Sequence, residues 1–139
     1  MTMSKEKQEK LQQAYMEMQM LGQQMQSLQR QLQLIEQQNI ELIAAKQAID
    51  DISKTKQGTE ILVPVIAGIF VKGHLKDNKE FIVNVGSNTA VKKSAEESKK
   101  LIDEQEEEIK KVQTQLNAEL QRLGQKAALL EKELSEASD

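Results

Sequence analysis

The feature that most constrains this chain is a heptad repeat running through its first third. With position a set at Leu11, the a positions are Leu11, Met18, Met25, Leu32, Asn39 and Lys46. The d positions are then Ala14, Leu21, Leu28, Ile35, Leu42 and Ile49. Ten of those twelve are apolar, and Gln, Glu and Lys dominate between them. Alternating steps of three and four keep a narrow apolar stripe against one partner helix, the pattern of a coiled coil. The spacing predicts a helix over roughly 4–56, about 75–80 Å long at ~1.5 Å per residue. Gly22 costs that helix about 1 kcal/mol relative to Ala without breaking the repeat. Two polar residues, Asn39 and Lys46, occupy the seam towards its far end. Either they fix register at a cost in stability, or the seam opens there because the helix meets another surface.

Composition agrees with long helices burying a narrow seam. Aromatic residues make up 2 % of the chain and charged residues 29 %, and Pro64 is the single proline. That is too few large side chains for a thick globular core, and nothing interrupts the outer thirds. The 139 residues leave room for one domain, 1–139. With no cysteine, disulfide and thiol chemistry are excluded. No apolar run approaches the ~20 residues of a membrane span, and the N-terminus lacks the basic-then-apolar order of a signal peptide. The expectation is a soluble, cytoplasmic protein with no membrane partner. Net charge is −3, and residues 92–139, with nine basic and twelve acidic side chains, carry the whole excess. A nucleic-acid binder needs a basic face to release counterions from phosphates, and none stands out, so no nucleic-acid partner is expected.

Residues 94–137 predict a second helix of similar length. Ser94 followed by Glu97 is a capping-box pattern, and Glu96 and Glu97 suit the positive end of a helix dipole. Its apolar series is Ile102, Ile109, Val112, Leu116, Leu120, Leu123, Ala127, Leu130 and Leu134. The steps Val112 to Leu116 to Leu120 read as a stutter that locally unwinds the supercoil. Two arms of comparable length around a short middle most simply pair antiparallel.

The middle, 58–93, is rich in Val and Ile and punctuated by Gly58, Gly68, Gly73 and Gly86. It predicts strands over 61–66 and 69–75 around Ala67-Gly68, a third over 81–85, and a fourth over 89–92 after Gly86-Ser87-Asn88. Pro64 cannot donate to a ladder, so its strand is an edge or bulges there. If Asp77-Asn78-Lys79 form a three-residue loop, Lys76 faces Glu80, and Val71, Leu75, Phe81, Val83 and Val85 share one face. Phe70 and Ile82 fall on the opposite face. One helix hairpin can hardly cover both, so these strands are expected to join those of other subunits.

The segment Ile61-Leu62-Val63-Pro64-Val65, then Ala67-Gly68 and Phe70-Val71-Lys72-Gly73, resembles the strand-turn-strand of the prefoldin family, alpha class. Val83-Asn84-Val85-Gly86 and Val91-Lys92-Lys93-Ser94, before an acidic helix start, are similar to that family's second hairpin and exit. The likeness extends over essentially the whole chain. Ile66 and Ile69 depart from it, standing where a Gly and a small polar residue are usual, as does Asn88 where a second Gly is common.

The resemblance implies an ATP-independent chaperone, a holdase with no cofactor. It implies a mainly α fold: a long antiparallel coiled-coil hairpin whose two β-hairpins join an oligomeric β-barrel platform. Two alpha and four prefoldin beta subunits would form an α2β4 hexamer. Its arms would hold unfolded client proteins near their tips and pass them to a group II chaperonin. Ile61, Val63, Val71, Leu75, Phe81, Val83 and Val85 would serve assembly. Leu11, Met16, Met18, Met20, Leu130 and Leu134 would meet clients, because helix ends fray and expose seam residues there. The runner-up is a structural coiled-coil filament or scaffold subunit built on the same hairpin.

Chemistry finds no foothold. His74 is the single histidine and reads as a sheet-surface residue. Glu104, Glu106, Glu107 and Glu108 lack the glycine turn and alternating oxygens of a calcium loop, and read as a solvated helix face. No glycine pattern forms a phosphate cradle, so no enzyme is expected. All six methionines, Met1, Met3, Met16, Met18, Met20 and Met25, fall within the first 25 positions. Met18 and Met25 fit the seam. Met16 and Met20 fall at outer f and c positions, either as adaptable contacts for apolar partners or as tolerated helix formers.

Overall fold

The computed structural model describes residues 4–138; Met1 and Met3 lie outside them. Helix α1 (Lys5–Lys54) leads to β1 (Glu60–Ile66), β2 (Ile69–His74), β3 (Glu80–Asn84) and β4 (Ala90–Ser94), and helix α2 (Ala95–Ser138) closes the chain. Two long helices thus flank two small antiparallel strand pairs, a coiled-coil hairpin with a β-rich middle. The described residues pack as two units, one within 4–38 and 109–138 and the other of 39–108.

In the first unit the helices run antiparallel. Leu11 and Ala14 share a hollow with Leu134 and Ala137, while a Cβ on Gly124 would lie 3.9 Å from Met25 Cε. Leu21, Leu123 and Leu130 form the buried core, with Ala14, Met18, Met25, Leu28 and Ala127 packed against it. Along α1, all twelve heptad a and d positions are buried or half-buried. The repeat was fully legible in the sequence.

The α2 seam corrects the expectation. Its buried and half-buried positions include Ile102, Glu106, Ile109, Gln113, Leu116, Leu120, Leu123, Ala127, Leu130 and Leu134. These follow an unbroken four-three alternation, so there is no stutter. Val112 lies outside the seam, 41 % exposed, and Gln113 takes the place assigned to it. An apolar residue adjacent to a seam position is indistinguishable from a seam residue by hydropathy alone. A polar residue on the seam escapes a search for apolar ones.

In the second unit ion pairs join the helices. Lys46 Nζ lies 2.5 Å from Asp103 Oδ1 and 3.7 Å from Glu106 Oε1, and Lys99 pairs with Asp50. Glu106 is therefore a half-buried seam residue and not part of a solvated acidic face. The hydrogen bond from Lys46 to Asp103 raises the lysine's pKa, and the one from Lys99 lowers that of Asp50.

The strands form two separate pairs, β1 with β2 and β3 with β4. The expected pairing of the second strand with the third does not occur. Glu80 lies opposite Ser94, its carboxylate 3.6 Å from Lys92 Nζ, and not opposite Lys76. The reason lies in the connector. Asp77 Oδ1 accepts the backbone N–H groups of Lys79 (2.7 Å) and Glu80 (3.3 Å), turning the chain outwards. Asn78 Nδ2 donates to the Thr55 carbonyl at 2.8 Å, anchoring it to the end of α1. Leu75 meanwhile donates to the Thr59 carbonyl at 2.9 Å and accepts from Gly58 N–H at 2.7 Å, closing the base of the first hairpin.

Within β1–β2 the ladder is irregular between Pro64 and Ile66, a bulge at the residue that cannot donate. Gly68 turns the hairpin at φ +78°, a conformation glycine adopts without strain. The second turn uses Ser87 and Asn88 at φ 50° and 58°, with Thr89 N–H donating to the Gly86 carbonyl at 2.9 Å. Strand β4 runs into α2 through the capping box. Glu97 N–H donates to Ser94 Oγ at 3.1 Å, and Ser94 N–H to Glu97 Oε1 at 3.3 Å. The backbone bond holds the Glu97 carboxyl below its ordinary range.

Candidate functional site

Two surfaces carry the residues singled out in the sequence, one in each unit. In the first unit, near the chain ends, Lys7, Lys10, Leu11, Ala14, Glu133, Leu134 and Ala137 line a hollow of about 170 Å³. Leu11 and Leu134 are half-buried in its wall. Met18 is half-buried against the core, and Leu130 belongs to the core itself. Met16 and Met20 are exposed, as expected of f and c positions. The structure therefore brings Leu11 and Leu134 together and leaves the two outer methionines in solvent. Leu129, not singled out above, is more exposed than either methionine. The adjacent pair Leu129-Leu130 was its signal, because only one of two neighbouring leucines can face a seam.

In the second unit the strand residues divide by exposure. Ile61, Leu75, Phe81 and Val83 are half-buried, whereas Val63, Val71 and Val85 are exposed. Leu75 and Val85 fall just past the ends of β2 and β3. Since β2 and β3 are not paired, Val71, Leu75, Phe81, Val83 and Val85 do not form the continuous face expected of them. Instead each ribbon carries its own apolar surface. Val63 lies opposite Val71, Pro64 opposite Phe70, and Ile66 opposite Ile69 in the first, while Val83 lies opposite Val91 in the second. Leu62, Val65, Ile66, Phe70 and Ile82 are also exposed, Ile82 by 75 %. An isolated two-stranded ribbon is marginal in water, and exposed apolar residues with unpaired edges make it a template for further strands.

His74 sits exposed at the end of β2, opposite Glu60. Among the described residues, no three His, Asp or Glu side chains gather as a metal site would require. None of the described helices is long and apolar enough to cross a membrane.

The family model for prefoldin subunits matches residues 21–139, from Leu21 in the α1 seam through both hairpins and α2. The chain belongs to the prefoldin family. A prefoldin subunit alpha from Methanobrevibacter smithii is 33 % identical over 118 residues, covering 85 % of this chain and 80 % of the relative. One from Thermofilum pendens is 39 % identical over 69 residues, which cover 50 % of this chain and 54 % of that one. The fold is similar to that of a filamentous PFD from Methanocaldococcus jannaschii solved by cryo-EM. There the TM-score is 0.78 at 18 % identity, with 86 % of this chain and 98 % of that one covered. Membership of this prefoldin family makes the chain a chaperone subunit that assembles with other prefoldin subunits.

Proposed function

We propose that this chain is the alpha subunit of an ATP-independent holdase, one prefoldin-like domain in which α1 and α2 flank the four strands. It assembles with prefoldin beta subunits into an α2β4 hexamer in the cytoplasm. The complex captures non-native proteins at the arm ends and passes them to a group II chaperonin, with no cofactor and no enzymatic step. The observation that carries this reading is the placement of uncovered apolar side chains. Met16, Met20 and the Leu11–Leu134 hollow lie towards the chain ends, and the exposed apolar residues of the ribbons lie in the other unit. The first set suits weak, adaptable capture by polarizable thioethers, and the second suits burial in an assembly.

Light scattering from a refolding substrate tests the activity. The assembled complex should suppress aggregation without nucleotide, and scattering unchanged by the complex refutes the reading. Removing residues 1–20 and 129–139 should weaken suppression with the hexamer intact. For assembly, Val83→Asp places an unpaired carboxylate on the β3 face, at a cost of several kcal/mol if that face is covered. The hexamer should be lost with both helices retained by circular dichroism. The second reading, a filament subunit, draws on the unpaired ribbon edges, which can also add strands head to tail. Native mass measurement separates a closed hexamer from an open polymer.

A further inference from the structure

Among the described residues of the first unit, six large apolar side chains are exposed: Tyr15, Met16, Met20, Leu34, Val112 and Leu129. Their positions on the heptads are not random. With seam residues at a and d on each helix, Met20, Leu34 and Leu129 occupy c positions and Val112 a g position. In an antiparallel pair the c and g positions of both helices lie on the same side of the seam, and the b and e positions on the other. Four of the six therefore share one flank. Tyr15, at e, is on the opposite flank, and Met16, at f, points directly away from the partner helix.

The register groups the four into two sites. Gly124 lies against Met25. Met20 is five residues before Met25, and Leu129 is five residues after Gly124, so the two stand level. Leu34 and Val112 stand within about three residues of level by the same reckoning, roughly 5 Å along the axis. The exposures are 59 % for Met20, 64 % for Leu129, 61 % for Leu34 and 41 % for Val112. Each arm thus carries two apolar footholds on one flank, separated by about 21 Å, the rise of the helix between Met20 and Leu34.

We infer that this flank binds extended, non-native polypeptide by two-point contact, favouring apolar clusters about six or seven residues apart. The spacing follows from the ~3.3 Å rise of extended chain set against the ~21 Å between footholds. Area decides against a folded partner or a second copy of this chain. Four such side chains expose on the order of 400 Å² in two separate places, about half of the ~800 Å² per partner that a standard stable interface buries. Two small footholds instead give weak single contacts, strengthened when one chain bridges both. This inference rests on the holdase reading and specifies the feature of a client that the arm detects.

The test uses the assembled complex and fluorescent unstructured peptides carrying two leucine clusters seven or three residues apart, or one cluster alone. The seven-residue spacing should bind at least about fivefold more tightly than a single cluster, and the three-residue spacing should give no such gain. Met20→Gln with Leu129→Gln, or Leu34→Gln with Val112→Gln, should each reduce the seven-residue peptide to single-cluster affinity. Tyr15→Gln should not, and native mass and circular dichroism should be unchanged throughout. Equal binding of both spacings, or an equal effect of Tyr15→Gln, overturns the inference. If the wild-type complex suppresses aggregation and the paired variants match it in peptide binding, two-point capture alone fails. If the wild-type complex neither binds peptides nor suppresses aggregation, the holdase reading fails with it.

Discussion

Exchanging the chemistry of two neighbouring residues, Val112 and Gln113, separates the observed seam from its stuttered alternative. In the unbroken repeat Gln113 is half-buried between the helices and Val112 is 41 % exposed on the flank. Fully burying a leucine is worth about 1.5–3 kcal/mol, so filling a half-buried seam position should recover about 1 kcal/mol. Gln113→Leu is therefore stabilising by about 1 kcal/mol, a rise in Tm of about 4 °C for a chain of this size. Val112→Gln removes a side chain that makes little use of the seam and should stay within about 0.5 kcal/mol of wild type. Thermal and urea unfolding of the assembled complex, followed by far-UV circular dichroism, reads both changes. A stuttered seam requires the reverse order. If Val112→Gln cost more than about 1 kcal/mol while Gln113→Leu were neutral, the seam would have to be redrawn.

Other expectations concern single positions. Gly22 sits in the middle of α1, and a methyl added there would meet nothing within 4 Å, so Gly22→Ala should stabilise by up to about 1 kcal/mol in the same unfolding assay. Leu123 is 4 % exposed in the core, and Leu123→Ala should cost about 2–4 kcal/mol, towards the lower end if the narrow seam closes over the gap. The Asp50 carboxyl is held below its ordinary range by Lys99, so its contribution is present above the unfolded-state pKa and lost as pH falls through the lower, folded one. Asp50→Asn should therefore flatten the decline of Tm below about pH 4, measured across melts from pH 7 downwards. The raised pKa of Lys46 acts at the other extreme, its contribution being lost only as pH climbs past the ordinary lysine range.

What could be read from the sequence was what local periodicity encodes. The a and d positions of α1, the capping box at Ser94 and Glu97, the bulge beside Pro64 and the turn at Gly86-Ser87-Asn88 each depend on residues within a few positions of one another. The errors arose where the outcome depends on a distant partner. The connector between β2 and β3, for example, is held by Asn78 reaching the Thr55 carbonyl, 23 residues away in sequence. Glu106 sits in a run of glutamates and looks solvated until Lys46 is found beside it. Val112 reads as seam material and Leu129 is passed over, because hydropathy records that a residue is apolar and not which way it faces. Those two residues then supply half of the apolar flank in the first unit.

The ion pairs of the second unit bear on the register of its helices. An apolar coiled-coil stripe tolerates sliding by a heptad, since leucine packs about as well against the next leucine along. The ion pairs of the second unit do not tolerate it. Sliding α2 by seven residues in one direction sets Asp50 against Glu106, a like-charge pair, in place of Lys99. Sliding it in the other would call for Lys92, which lies in β4 and not in the helix. Exposed or half-exposed pairs of this kind add little to net stability, and their better-attested role is the choice of register. Within the second unit, Lys46, Asp50, Lys99 and Asp103 thus select one alignment of the two helices over those a heptad away.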